Sequence, residues 1–278
     1  MTSAGPGSLA EFRAARERAV RAPRGPLALV NAQTVTRDAT VVWPVPGRWS
    51  PTLGGLAVTA TASDGIVVDG IPVDGTVVAA GDSAVVPSSI AFADGRSATI
   101  GSVPEGQSLR IWDPAADAIA RFARIGVFDP SPEWVVQGAY TPVASGGQDD
   151  SGTEGRGTVL DAAGVPLTVA GHIAVEFGDV HADLVAVGAP TFAGSARLQV
   201  TFQDATSGDT TYSMGRFLFL DDPGSAGPVV LDFNRAVLPP CAFSYQFACP
   251  IPPEQNRLPI AVTAGETRGY DVDGNAVH

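Results

Sequence analysis

The chain contains no lysine; all 17 of its basic residues are arginine. That absence excludes Schiff-base chemistry, pyridoxal phosphate enzymes of the usual kind and the lysine of a phosphate-binding loop. Histidine is almost as scarce, and the 3 that occur, His172, His181 and His278, do not cluster in sequence with either cysteine. Cys241 and Cys249 stand eight positions apart, not in a C-x-x-C. A Cys-His zinc site would form only if the fold gathered them, so no metal site is predicted. In a reducing compartment the two thiols are expected to be free and close together, with a disulfide as the alternative. No run of about 20 apolar residues occurs, and the N-terminus has no apolar stretch suited to a signal peptide. Positive charge is also in deficit, with a net charge of −12 and a pI near 4.5. Such a chain repels nucleic acid and anionic membrane surfaces, so neither is an expected partner. The expected location is cytoplasmic. No nucleophile elbow, H-E-x-x-H, dinucleotide-binding glycine fingerprint or clear catalytic triad is present, which weakens any mainstream hydrolase or dehydrogenase reading.

What the chain does have is 32 glycines and 23 prolines, spread throughout. They signal many turns between short strands rather than long helices. One helix is announced by Ser8 and Glu11, a capping box, followed by Leu9, Phe12, Arg16, Ala19 and Val20 at helical spacing until Pro23. Its arginines, Arg13, Arg18 and Arg21, are read as a solvated face. From Leu27 to Trp112, β-branched runs alternate with Asp64-Gly65, Asp69-Gly70, Asp74-Gly75, Gly81-Asp82 and Asp94-Gly95, which are hairpin signals. The predicted fold is mainly β: an N-terminal helix followed by two antiparallel sandwich- or barrel-like units. The predicted domains are 1–24 (helix and linker), 25–130 (a first β domain) and 131–278 (a second, with a Pro-rich lid). The break falls at Asp129-Pro130-Ser131-Pro132. Residues 145–157, small, acidic and polar, read as a mobile hairpin loop inside the second domain.

Chemistry-bearing residues concentrate in the last third. Leu198, Val200 and Phe202 alternate with polar residues as a half-buried strand. The run Asp204–Asp209 reads as an Asx and Ser/Thr turn, since it lacks the ligand spacing of a calcium loop. Two further strands, 210–220 and 229–234, would complete a meander. Pairing Phe217 with Leu231 and Phe219 with Val229 sets Phe233 over Gly215 and Arg216 opposite Asp232 on the other face, beside Tyr212 and Asn234. This polar face has two readings: a fork holding an anionic or polar ligand, or a cross-strand ion pair fixing register. The segment from Pro239 to Pro259 is too rich in proline for regular structure. Glu254, Asn256 and Arg257 are its polar tools, either lining a site or satisfying the segment's own backbone. The expectation is that one of them reaches the Arg216 face and closes a pocket there.

The order of pieces from Phe202 to Glu266 resembles the bacterial and archaeal family catalogued as domain of unknown function 1684. Arg110-Ile-Trp-Asp113, Arg121-Phe122 and Phe128 followed by Trp134 look like that family's earlier markers. The chain departs from the family pattern at Val237-Leu238-Pro239, where Tyr-Asn-Pro is usual, and at Thr267, where Lys is usual. The resemblance implies a shared fold and no particular reaction. The expected function is binding of a small polar or anionic molecule in the C-terminal domain by Tyr212, Arg216, Asp232, Asn234, Glu254, Asn256, Arg257 or Glu266. One alternative is an enzyme of unassigned reaction, with Asp232, Glu254 or Glu266 as acid/base beside Arg216; the other is an interaction module without chemistry. Cofactor and oligomeric state are left unknown.

Overall fold

The computed structural model describes residues 7–143, 159–192 and 195–277. The expected loop at 145–157 lies outside the described residues. Helix α1 (Leu9–Val20) begins at the capping box: Ser8 N donates to Glu11 Oε2 at 2.7 Å, and Glu11 N to Ser8 Oγ at 3.3 Å. Its arginine face is not simply solvated, because Arg13 donates to Phe128 O and Arg21 to Phe122 O. Carbonyls at loop and strand ends offer those guanidiniums a partner that water would otherwise supply.

The chain divides into two compact units. One comprises Arg16–Phe122 with Ser244–Phe247, and the other Met1–Ala15, Ala123–Phe243 and Ala248–His278. The first is a sandwich. Its strands are β1 (Leu29–Val35), β2 (Arg48–Thr52), β3 (Gly55–Ala60), β4 (Ile66–Val68), β5 (Ile71–Pro72), β6 (Gly75–Ala80), β7 (Ile90–Phe92), β8 (Ser97–Val103) and β9 (Gly106–Trp112). They form a 6-stranded sheet, β1-β9-β8-β7-β4-β5, and a 3-stranded sheet, β2-β3-β6. Trp49, Leu56 and Val58 of the smaller sheet pack with Ile66, Ile90, Ile100, Leu109 and Ile111 of the larger. Asp69 and Gly70 both take positive φ, the requirement of the tight hairpin joining β4 to β5, and Asp94-Gly95 joins β7 to β8; Asp64-Gly65 instead ends a single 3-10 turn and Asp74-Gly75 leads into β6 of the other sheet. Helix α2 (Asp117–Arg121) follows β9.

The second unit is a curled antiparallel sheet, a half-barrel. Its strands are β10 (Phe122–Val127), β11 (Val135–Pro142), β12 (Val159–Leu160), β13 (Pro166–Leu167), β14 (Val169–Phe177), β15 (Val180–Phe192), β16 (Ser195–Phe202), β17 (Arg216–Asp221), β18 (Gly227–Asp232) and β19 (Glu266–Asp271). The main sheet runs β17-β16-β15-β14-β11-β18, with β10-β19 and β12-β13 as separate pairs. β16 and β17 pair antiparallel as expected, but residues 210–215, expected to be strand, are turn and loop, and the third strand of the meander is misplaced. β18 pairs with β11, Leu231 opposite Val136 and Asp232 opposite Val135, while β17 pairs with β16, Phe217 opposite Thr201 and Arg216 opposite Phe202. The expected pairs Phe217–Leu231 and Arg216–Asp232 do not exist. Alternation assigns a face but not a neighbour, and this sheet curls so that β17 and β18 lie at its two ends. Closure there comes from Val237, just after β18, which exchanges backbone hydrogen bonds with Phe217 at 2.8 Å each way.

The interior of the half-barrel holds Ile173, Leu184, Leu198, Val200, Phe202, Leu218, Leu231 and Phe233. Phe233 does not cover Gly215. It packs edge-on against Phe202 and Phe177, with ring centroids 5.2 and 5.4 Å away. Gly215 has a φ of +87°, and a Cβ there would lie 2.2 Å from the carbonyl oxygen of Phe202, so a left-handed turn and a close backbone approach both demand glycine. Among the described residues no helix is long and apolar enough to cross a membrane.

Candidate functional site

Arg216 lies on the same face of β17 as Leu218 and Leu220, which puts it in the interior of the half-barrel. Its side chain is 0% exposed. A buried guanidinium is tolerated only if its charge and donors are matched. Nη2 donates to Asp204 Oδ2 at 2.5 Å and to Val262 O at 2.8 Å, while Nη1 donates to Ala264 O and to Glu266 O. The plane stacks over Phe202, 5.2 Å from the ring centroid, and lies 6.0 Å from that of Phe128. Burial pulls the Arg216 pKa below its ordinary value, and the adjacent Asp204 carboxylate opposes that shift.

Asp204 is the partner that the sequence reading assigned only to a turn. Its Oδ2 also accepts from Val262 N at 3.1 Å, and its Oδ1 accepts from Thr206 N at 3.0 Å and Thr206 Oγ1 at 2.6 Å. The Asx turn is therefore present, with its second oxygen turned inward to the arginine. Glu266, 3% exposed, accepts from Leu238 N at 2.7 Å. Arg216, Asp204 and Glu266 thus tie the segment 262–266 to the mouth of the barrel, and each carboxylate group is already engaged.

The remaining candidates separate. Asp232 accepts from Asn234 N and Nδ2 at 3.1 and 3.0 Å and faces Arg235 Nε at 3.2 Å. Asn234 also exchanges hydrogen bonds with the backbone of Ser131. Tyr212 Oη donates to Cys241 O at 3.2 Å. Glu254 and Arg257 are exposed. Asn256, 1% exposed, is inserted between two strands: Val185 N donates to its Oδ1 at 2.7 Å, and its Nδ2 donates to Val185 O at 2.9 Å and Thr201 O at 2.8 Å. The β15–β16 ladder is registered only from Val187 and Gln199 onward, so the amide of Asn256 stands in for the ladder bonds that the two strands no longer make to each other. The Pro-rich segment is thus fixed along β15 and β16 by Asn256, while its Leu258 packs into the interior cluster with Phe202 and Leu218. None of Glu254, Asn256 or Arg257 is a hydrogen-bond partner of the Arg216 side chain among the described residues. Leu218 and Leu220 on the Arg216 face of β17 are buried, as is Phe217 on the other, so the Arg216 face is core.

A groove of about 390 Å³ lies elsewhere in this unit, on strands β11, β14, β15 and β18. Ala139, Ala174 and Pro228 supply an apolar floor, and Gln137, Glu176 and His181 are its polar groups. His181 Nδ1 is 3.3 Å from Glu176 Oε1, both side chains being 73% exposed. They are directly opposite because Phe177 pairs with Val180 across a two-residue turn at Gly178 and Asp179. That Gly-Asp turn was the sequence signal available for this pair. Gln137 and Pro228 come from distant strands that only the fold brings near.

Residues 120–267 match the family described as "Protein of unknown function (DUF1684)". The chain is also similar to an uncharacterized protein of Haloarcula marismortui, solved in solution by NMR. Identity is 32%, and the match covers 52% of this chain and 77% of that one, with a TM-score of 0.41. No curated protein matches.

Proposed function

The chain belongs to this family of proteins of unknown function, whose description supplies no reaction, and from that starting point we propose that its half-barrel binds a small molecule with a flat apolar side and a cationic group. The observation that carries this reading is the groove over β11, β14, β15 and β18, whose volume of about 390 Å³ falls in the range of about 300–1,000 Å³ typical of ligand sites. Ala139, Ala174 and Pro228 would receive the apolar side, and Glu176 and Gln137 the cation and its remaining donors. The net charge of −12 favours a cationic over an anionic ligand by long-range attraction. An acid would need a fixed basic fork, and both Nη atoms of Arg216 are committed to Asp204 and three carbonyls. The same commitments leave the enzyme reading, with Arg216 as electrostatic partner, without its central group.

The test uses two probes of matched shape, phenethylamine and phenylacetate, titrated into isotope-labelled protein and followed by amide chemical shifts. Saturable shifts with the amine at Gln137, Ala139, Ala174, Glu176 and His181, reduced by Glu176→Gln, support the reading. A preference for the carboxylate, or shifts that avoid these residues with both probes, refutes it.

A further inference from the structure

Cys241 and Cys249 lie outside the groove and outside the Arg216 cage. Cys241 is in a single helical turn (Pro240–Ala242), and Cys249 stands where the Pro-rich segment meets β12, its carbonyl accepting from Ala162 N at 2.9 Å. Both are free thiols, 8% and 4% exposed. The Cys241 amide donates to Cys249 Sγ at 3.2 Å, and Tyr212 Oη, 3.2 Å from Cys241 O, stands beside the pair. We infer that this dithiol is an oxidation site for hydroperoxides, in which Cys241 is the attacking thiol and Cys249 the resolving one.

Contact comes first: Cys249 Sγ lies within hydrogen-bond distance of the Cys241 backbone, the close approach that a disulfide requires. The two environments then differ. The Cys249 thiol donates to Cys241, and against the effect of burial this holds the Cys241 pKa below its ordinary value, with further help from Tyr212 and the amides of Cys241 and Ala242. Cys249 is pushed the other way, by Cys241 and by burial, against the Cys241 amide that donates to its sulfur. A thiolate favoured by donors is the nucleophile, and its protonated neighbour waits. Ala248, the chain neighbour of Cys249, is exposed.

The step balances as follows. The Cys241 thiolate attacks one peroxide oxygen and the O–O bond breaks. Hydroxide leaves and takes up the proton released by Cys241 as water, and Cys241 becomes a sulfenic acid. Cys249 sulfur then attacks Cys241 sulfur, and its proton leaves with the expelled hydroxide as a second water. Two thiols are oxidised by two electrons to a disulfide, and hydrogen peroxide is reduced to two waters, or an organic hydroperoxide to its alcohol and one water. Two low-molecular-weight thiols restore the pair by successive exchange and leave as their own disulfide.

The test treats the reduced full chain with hydrogen peroxide and reads intact mass and peptide maps. The wild type should lose two hydrogens and yield a Cys241–Cys249 linked peptide. Cys249→Ser should accumulate sulfenic acid on Cys241, trapped by dimedone, and Cys241→Ser should leave Cys249 unmodified at the same dose. Tyr212→Phe should give the same product about fivefold more slowly, the worth of one hydrogen bond. The inference is overturned if Cys249 in Cys241→Ser oxidises as fast as the wild-type pair. It is also overturned if both thiols survive a dose that oxidises the unfolded chain.

Discussion

Replacing Asn256 by alanine tests how the Pro-rich segment is held to the sheet. The side chain makes three hydrogen bonds, from Val185 N and to Val185 O and Thr201 O, and is 1% exposed. Alanine leaves all three backbone groups buried without a partner. At about 1 kcal/mol for each bond the loss is about 3 kcal/mol, and it rises if water cannot reach the vacated groups. Asn256→Asp is the sharper variant. A carboxylate still accepts from Val185 N, but it faces the carbonyls of Val185 and Thr201 with no donor, so it should cost more than alanine although it is nearer in shape. Glu254→Ala and Arg257→Ala, at exposed neighbours, should each stay within about 0.5 kcal/mol. Urea unfolding at unchanged m gives the global value. Hydrogen exchange at the Val185 amide gives the local one, with protection expected to fall by about a hundredfold for a loss near 3 kcal/mol. The reasoning fails if Asn256→Ala leaves both the midpoint and the Val185 amide unchanged, or if aspartate is tolerated better than alanine.

Two further outcomes concern charged groups. Arg216→Met should cost about 3–5 kcal/mol, because it strands the Asp204 carboxylate in the core; Arg216→Met combined with Asp204→Asn should recover part of that loss, and a double-mutant cycle by urea unfolding that finds the two changes additive would refute the direct pairing. Asp69 accepts from Ser88 Oγ and Ser89 N, which hold its pKa below the ordinary 3.8, Ser88 most of all. A folded-state pKa below the unfolded one means a contribution present above the unfolded value and lost as the pH falls through the folded value. A carboxyl titration by NMR should therefore place Asp69 below 3.8, with loosening of the Ser89 amide only in more acid solution, and a midpoint at or above that value would be contrary.

Much of the fold was legible because local rules acted alone. Ser8 and Glu11 marked the helix, and Asp69-Gly70 and Asp94-Gly95 marked two sandwich hairpins, whereas Asp64-Gly65, Asp74-Gly75 and Gly81-Asp82 lie at links between strands of different sheets. The candidate site was misread where local rules stop. Phe217, Leu218, Phe219 and Leu220 form a strand buried on both faces, so alternation could not say which side is core. Alternation alone sets Arg216 against Asp232, because its matching charge, Asp204, is not its neighbour in any strand pattern; a turn of irregular backbone carries that carboxylate inward. Asn256 lies among prolines, where no periodicity exists to give its role away. Glu176 and His181 share one hairpin and could have been found, whereas the groove they help to line depends on β18 crossing to β11, which no pattern in the chain specifies.

The division of the chain carries a consequence for how the protein is made. Ser244–Phe247 counts with Arg16–Phe122, although most of the other unit's sequence is synthesised between them. Ser244 Oγ donates to Leu29 O, Ala32 N donates to the Gln246 side chain, and Phe247 rests against Trp112. A nascent sandwich must therefore hold the carbonyl of Leu29, the amide of Ala32 and one side of Trp112 open until the ribosome has delivered the strands of the half-barrel. The unit translated first is completed late, and no single cut in the chain can release either unit whole.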